Sequence, residues 1–211
     1  MNREELEHAI RAAGDVARDP ELIVLGSQAV LGQFPDAPND LLFSREVDVY
    51  PKNHPERSIE IDGVLGELST FHETHRFYVH GVGPETAVLP AGWEQRLVPV
   101  ANSNTRGITG WCLEAHDLAA SKLAAGREKD MDYVRAMMRH NMIRGDTMAA
   151  RIAVLPLSEL RQAQMLTWLT STFDECMNTA PRVTDAGDSA KEEAGDSETS
   201  VVDLDPPTSS L

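Results

Sequence analysis

The sequence predicts an α+β protein: a small mixed sheet with flanking helices, followed by a C-terminal helical bundle. Three observations carry that prediction. In the first half, short apolar runs bounded by Gly and Pro alternate with helical spacing. From Leu113 onward the apolar spacing is helical throughout. Beyond Ala180 the chain has neither aromatic residues nor periodicity. The corresponding division is an α/β core over 1–112, a helical part over 113–179 and a tail over 180–211.

Asn2 to Ala17 places Leu6, Ile10, Ala13 and Val16 on one helical face. Glu21 to Leu25 is an apolar run ending at Gly26, which reads as a buried strand, and Ser27 then caps a short helix running to Gly32. Pro35, Pro38 and Asn39-Asp40 mark a loop. Arg45 to Tyr50 alternates charged and apolar residues, as a strand stopped by Pro51 would. Glu56 to Leu68 has helical spacing, interrupted by Gly63 and Gly66. Phe77 to Val82, Ala87 to Leu89 and Arg96 to Val100 read as further short strands, the last two flanking a turn at Pro90-Ala91-Gly92. Helices are predicted over Ala115–Ala125, Lys129–Asn141, Asp146–Val154 and Ser158–Met177.

Composition limits the function. The net charge of −15 argues against a surface built to neutralise nucleic-acid phosphates over a wide area. That charge is uneven: from Val183 to Leu211 there are eight acids and one base, Lys191, so the tail carries −7 of it. A local basic patch on the body is compatible with the total. The tail is too polar to offset its ordering entropy and reads as disordered. The two cysteines, Cys112 and Cys176, stand apart and form no zinc-type pattern, so they read as free thiols of a reducing cytosol. The polar, charged start argues against a secretory signal, and no apolar stretch is long enough for a membrane span. The expectation is a cytoplasmic protein.

Two segments carry chemistry. In the first, a strand runs into Gly26-Ser27 and then a helix. Glycine allows close backbone approach to a ligand, and a serine at a helix start offers a hydroxyl and an N–H to phosphate. In the second, Glu46 and Asp48 stand at i and i+2 of one strand and so share a face. Paired carboxylates at that spacing suit Mg²⁺, which is held by a few carboxylates and substrate phosphates. Either segment alone is ordinary: Gly-Ser is common at strand-to-helix turns, and an acidic strand face is commonly a solvated edge.

Together, a strand–Gly-Ser–helix followed about twenty residues later by an acid-x-acid strand resembles the polymerase-β-like nucleotidyltransferase superfamily. The segments Ile61 to Ser69, Phe71 to His75, Glu85 to Trp93, Leu113 to Leu118 and Lys122 to Asp130 further resemble a bacterial family of uncharacterised nucleotidyltransferases. That family is related to the AbiEii and MenT toxins of toxin–antitoxin and phage-defence systems. The resemblance covers roughly residues 5 to 142. It implies a nucleotidyltransferase sheet in which Gly26 and Ser27 hold the triphosphate and Glu46 and Asp48 hold Mg²⁺ or Mn²⁺. It also implies roles at the nucleotide for Lys122 and Asp130, with Arg127 and Lys129 extending a basic lip. The reaction implied is transfer of a nucleotidyl group from a nucleoside triphosphate to an acceptor hydroxyl, on the 3′ end of tRNA or on a protein. A toxin role and a cognate antitoxin belong to the same implication.

The chain departs from the superfamily at two points. Glu46 stands where Asp is usual, and the strand over 77–82 offers no third carboxylate, only His80. These departures motivate an alternative, a nucleotide- or partner-binding module that keeps the fold without turnover. Asp62 is a substitute acid, though it falls in a helical stretch. Tyr78, Trp93 and Arg96 are further candidates for a nucleotide pocket, Arg96 because a guanidinium can grip phosphate with two bonds. Helix and core packing is the simpler reading of both aromatics. His116-Asp117 resembles half of a phosphohydrolase site but lacks its companions. His72-Glu73-Thr74-His75 has the wrong spacing for a helical zinc motif.

Overall fold

The computed structural model describes residues 1–179, so the acidic tail expected over 180–211 lies outside the described residues. The chain opens with α1 (Arg3–Ala17). Its first turn is closed by a capping box, in which the Asn2 side chain accepts from the Glu5 N–H and the Glu5 carboxylate from the Asn2 N–H. The helix buries Leu6, Ile10 and Ala13. Then come β1 (Glu21–Val24), a 3₁₀ turn at Ser27–Ala29 and the one-turn α2 (Val30–Gln33). They are followed by β2 (Glu46–Pro51), α3 (Ser58–Leu65), α4 (Thr70–His75), β3 (Tyr78–Gly81), β4 (Val98–Val100) and β5 (Thr109–Cys112). Four helices complete the described chain: α5 (Ala115–Ala125), α6 (Glu128–Arg139), α7 (Gly145–Ala153) and α8 (Glu159–Thr179).

The strands form one five-stranded sheet in the order β3-β2-β1-β5-β4. β1 pairs antiparallel with β2 and parallel with β5, while β2 pairs parallel with β3 and β4 antiparallel with β5. The sheet is therefore mixed, and with its flanking helices and the helical C-terminal part the fold is α+β. α1 packs on β1, β2, β3 and β5, and α3 lies against both α1 and β3. Val47 and Val49 are buried, whereas Glu46 and Asp48 alternate with them and remain partly open. α5 leans on the 3₁₀ turn and on α2, and so brings the helical half to the C-terminal end of β1.

Most expected elements are present, with boundaries moved by a residue or two. Three differ. The helix expected over 56–68 ends at Leu65, and a separate α4 follows. Residues 87–89 are not a strand but an irregular segment after a 3₁₀ turn at Pro84–Thr86. β5 carries no alternating apolar signal because Gly110 occupies its inward position. α1 crosses there so closely that a Cβ on Gly110 would stand 2.4 Å from the Ile10 Cδ1. Among the described residues no helix is long and apolar enough to cross a membrane.

Candidate functional site

The antiparallel pairing of β1 with β2 brings the end of β1 beside the acidic face of β2. The Leu25 N–H donates to the Asp48 carbonyl at 2.9 Å. At Gly26 the contact is tighter still: a Cβ there would lie 2.0 Å from Asp48 Oδ2. Glycine is thus needed to let the carboxylate sit against the turn. Ser27 opens the 3₁₀ turn immediately after it.

The parallel register of β2 with β3 sets Glu46 opposite Tyr78 and Asp48 opposite His80. His80 Nδ1 lies 2.9 Å from Glu46 Oε1 and 3.2 Å from Asp48 Oδ1. One ligand atom from each of the three residues falls within 4.8 Å of the others, a donor set that could hold a metal ion. His80 Nε2 faces Asp62 Oδ1 of α3 at 4.0 Å. Burial lifts the Glu46 carboxyl above its usual range, and the adjacent Asp48 charge adds to this while His80 offsets part of it. Such crowding of negative charge favours a bound cation. Two carboxylate oxygens and an imidazole nitrogen are ordinary donors for an octahedral divalent ion, so the residues present fit one.

The helical half supplies the positive charge. Lys122, near the end of α5, donates to Ser27 Oγ at 2.9 Å and pairs with Asp130 Oδ1 at 3.3 Å. Its ammonium also stands 4.5 Å from the centre of the Tyr133 ring. Desolvation lowers the lysine pKa, and Asp130 counters part of that. Asp130, buried at the start of α6, is opposed in its ionisation by burial. Bonds from Arg127 and Lys122 outweigh this and leave its carboxyl below the usual range. Arg127 reaches it through Nε at 2.6 Å with a side chain that is largely exposed. The Tyr133 hydroxyl donates to the Ser27 carbonyl at 2.6 Å, so α6 holds the turn from behind.

Two cavities meet at Lys122, Arg127 and Asp130. The larger, about 590 Å³, is also lined by Ser27, Glu46, Lys129, Tyr133 and Arg139, with Phe43 standing out at its rim. The smaller, about 200 Å³, is mostly apolar, with Leu25, Val88 and Leu118 in its walls and Gly26 at its edge.

Glu46, Asp48, Gly26, Ser27, Lys122, Arg127 and Asp130 thus come together from strands and helices distant in sequence. Arg96 stands elsewhere. Its guanidinium grips the buried Asp117 through two bonds of 2.7 and 2.9 Å and lines neither cavity. Tyr78 stacks by His72, and Trp93 packs on the core. His116 is likewise occupied, between Glu114 and the Arg144 N–H. Sequence reasoning missed His80 as a contributor, since its pairing with Asp48 depends on register. It also missed Tyr133, whose helical spacing reads as core.

A family model described as a nucleotidyltransferase of unknown function (DUF6036) matches residues 4–175. No curated protein and no solved structure matches the chain.

Proposed function

Because the chain belongs to this nucleotidyltransferase family, we propose that it transfers a nucleotidyl group from a nucleoside triphosphate to an acceptor hydroxyl in the larger cavity. The observation that supports this most is the meeting of Ser27 with Lys122 at 2.9 Å, on the wall of a cavity that Glu46 also lines. The larger cavity falls within the range of about 300 to 1,000 Å³ common for small-molecule sites, and the smaller, which Gly26 lines, adjoins it at Lys122, Arg127 and Asp130.

Glu46 and Asp48 would hold Mg²⁺ or Mn²⁺, which when bound neutralises phosphate charge and polarises the α-phosphoryl group. The remaining work falls to the chain. Gly26 lets the backbone approach the phosphates, and Ser27 offers its hydroxyl and N–H. Lys122, desolvated and preorganised by Asp130 and Tyr133, gives up its bond to Ser27 for triphosphate oxygens as charge builds on the leaving pyrophosphate. Arg127 and Lys129 line the outer wall, where they would meet the same anion or an acceptor strand. The acceptor we favour is an RNA 3′ end, such as that of tRNA, with a protein hydroxyl second. Transfer to tRNA would suit a toxin whose antitoxin covers this cavity.

The test is incubation of the purified chain with each α-³²P-labelled nucleoside triphosphate, Mg²⁺ or Mn²⁺, and total bacterial RNA. RNA and protein are then resolved separately. Label should appear on one of them and fall about 10³-fold in Asp48→Ala, as expected for loss of a principal electrostatic group. Metal-dependent nucleotide binding without transfer would identify a binding module instead. Absence of both would overturn the site.

A further inference from the structure

His80 occupies the place beside the paired acids where a third carboxylate was sought in the sequence and not found. We infer that His80 is itself a metal ligand through Nδ1, positioned by Asp62, and that this nitrogen turns the site toward Mn²⁺ in preference to Mg²⁺. The inference rests on the reading of Glu46 and Asp48 as the metal-holding pair and goes beyond it in naming the third ligand and the ion.

Geometry carries the first part. Adjacent vertices of an octahedron with bonds of about 2.1 Å lie about 3.0 Å apart. Nδ1 stands 2.9 Å from Glu46 Oε1 and 3.2 Å from Asp48 Oδ1, close to that edge on both sides. The three atoms come from two strands whose parallel register fixes Asp48 against His80, so the arrangement belongs to the sheet and not to a loop. The His80 side chain is 45% exposed.

The tautomer follows from the second nitrogen. A neutral imidazole carries its proton on one nitrogen and a lone pair on the other. Asp62 Oδ1 lies 4.0 Å from Nε2, with both side chains open enough to close that gap or to share a water. Nδ1 sits at hydrogen-bond distance from Asp48 Oδ1, 3.2 Å, and an ion bound there takes the place of the proton in that contact. Asp62 accepting the Nε2–H then leaves the Nδ1 lone pair to the metal. A carboxylate is a usual second partner of a metal-bound histidine. Asp62 is therefore a positioning residue.

Ligand chemistry gives the selectivity. Mg²⁺ takes oxygen donors and surrenders water reluctantly, whereas imidazole favours first-row transition ions. Mn²⁺ accepts carboxylate oxygen and imidazole nitrogen alike, which matches a site of two acids and one histidine.

The experiment uses the full chain without nucleotide. Mn²⁺ alone is titrated by loss of the free-ion electron paramagnetic resonance signal, with Mg²⁺ as competitor, and bound Mn²⁺ is examined by pulsed methods for coupling to a directly bound nitrogen. His80→Asp, His80→Ala, Asp62→Asn and Asp48→Ala are run beside it, with melts to confirm folding. The wild type should show nitrogen coupling that both His80 variants lose. The Mn²⁺-over-Mg²⁺ preference should fall about 10-fold in His80→Asp, and Asp62→Asn should weaken Mn²⁺ about 10-fold, the low end for a second partner. Mn²⁺ bound without nitrogen coupling, at an unchanged preference in His80→Asp, would overturn the inference and leave the two-acid site standing. No Mn²⁺ binding, or equal binding in Asp48→Ala, would overturn both.

Discussion

Beside each end of α5 lies one buried carboxylate shared by two cations, Asp117 on α5 itself and Asp130 at the start of α6, and the two centres dispose of their charge differently. Near the start of the helix, Asp117 is fully buried and takes Arg96 at 2.7 Å and Arg151 at 2.9 Å. The Arg96 guanidinium also donates to the Ala91 carbonyl at 3.2 Å. This centre ties the segment after Pro90 to α5 and α7. Near the end of the helix, Asp130 takes Lys122 and Arg127, but the other contacts of Lys122 are a hydroxyl and an aromatic ring at the wall of two cavities. Both centres carry one more positive than negative charge. In the first, Arg96 is also bound to backbone carbonyls; in the second, Lys122 and Arg127 line two cavities. Burial and pairing are common to both centres; what separates them is where the unmatched charge points.

The comparison can be broken in order of expected effect. Asp117→Ala should cost about 3 kcal/mol of unfolding free energy, because two partly buried guanidinium groups lose their common partner. Urea denaturation measures it, and a loss below 1 kcal/mol would deny the centre its structural role. Lys122→Met should show the reverse pattern. Transfer activity should fall about 10²-fold, equivalent to about 2.7 kcal/mol, while unfolding free energy should change by less than about 1 kcal/mol, since Arg127 still pairs with Asp130. Equal losses in both measurements would make Lys122 a second structural clamp.

Tyr133→Phe removes the hydroxyl bond to Ser27 and should destabilise by about 1 kcal/mol. It should also raise the KM for nucleotide more than it lowers kcat, because the turn loosens while the cation remains. The smallest effect is a pH dependence. The Asp130 carboxyl sits below its ordinary value of 3.8 in the folded chain. A depressed acid contributes stability that is present above the unfolded pKa and is lost as pH falls through the folded one. The stability gap between wild type and Asp130→Asn should therefore be constant near neutrality and shrink below about pH 4. A gap unchanged at pH 3 would mean that the charge of Asp130 contributes nothing.

The sequence made the Gly26-Ser27 turn and the Glu46-x-Asp48 strand legible for a physical reason. Both are local: one is a break in an apolar run, the other an alternation of period two. The four C-terminal helices were legible because each sustains its apolar spacing over several turns. β5 was hidden because the close passage of α1 demands Gly110 where a strand would otherwise advertise a bulky residue. The pairing of His80 with the two acids, and the bond of Tyr133 to the turn, escaped notice because they are set by strand register and helix packing, which no window of sequence contains. Arg96 shows the converse. Its guanidinium suits phosphate, yet it is bound to Asp117, a partner visible only in three dimensions.

The close approach at Gly26 has an evolutionary corollary. A substituent there would collide with Asp48 Oδ2, so position 26 and the rotamer of Asp48 can change only together. In a saturation library every replacement at 26 should read as though Asp48 itself had been altered. Relieving that contact requires the Asp48 carboxylate to swing away from the turn. The acid and the turn therefore form one mechanical unit.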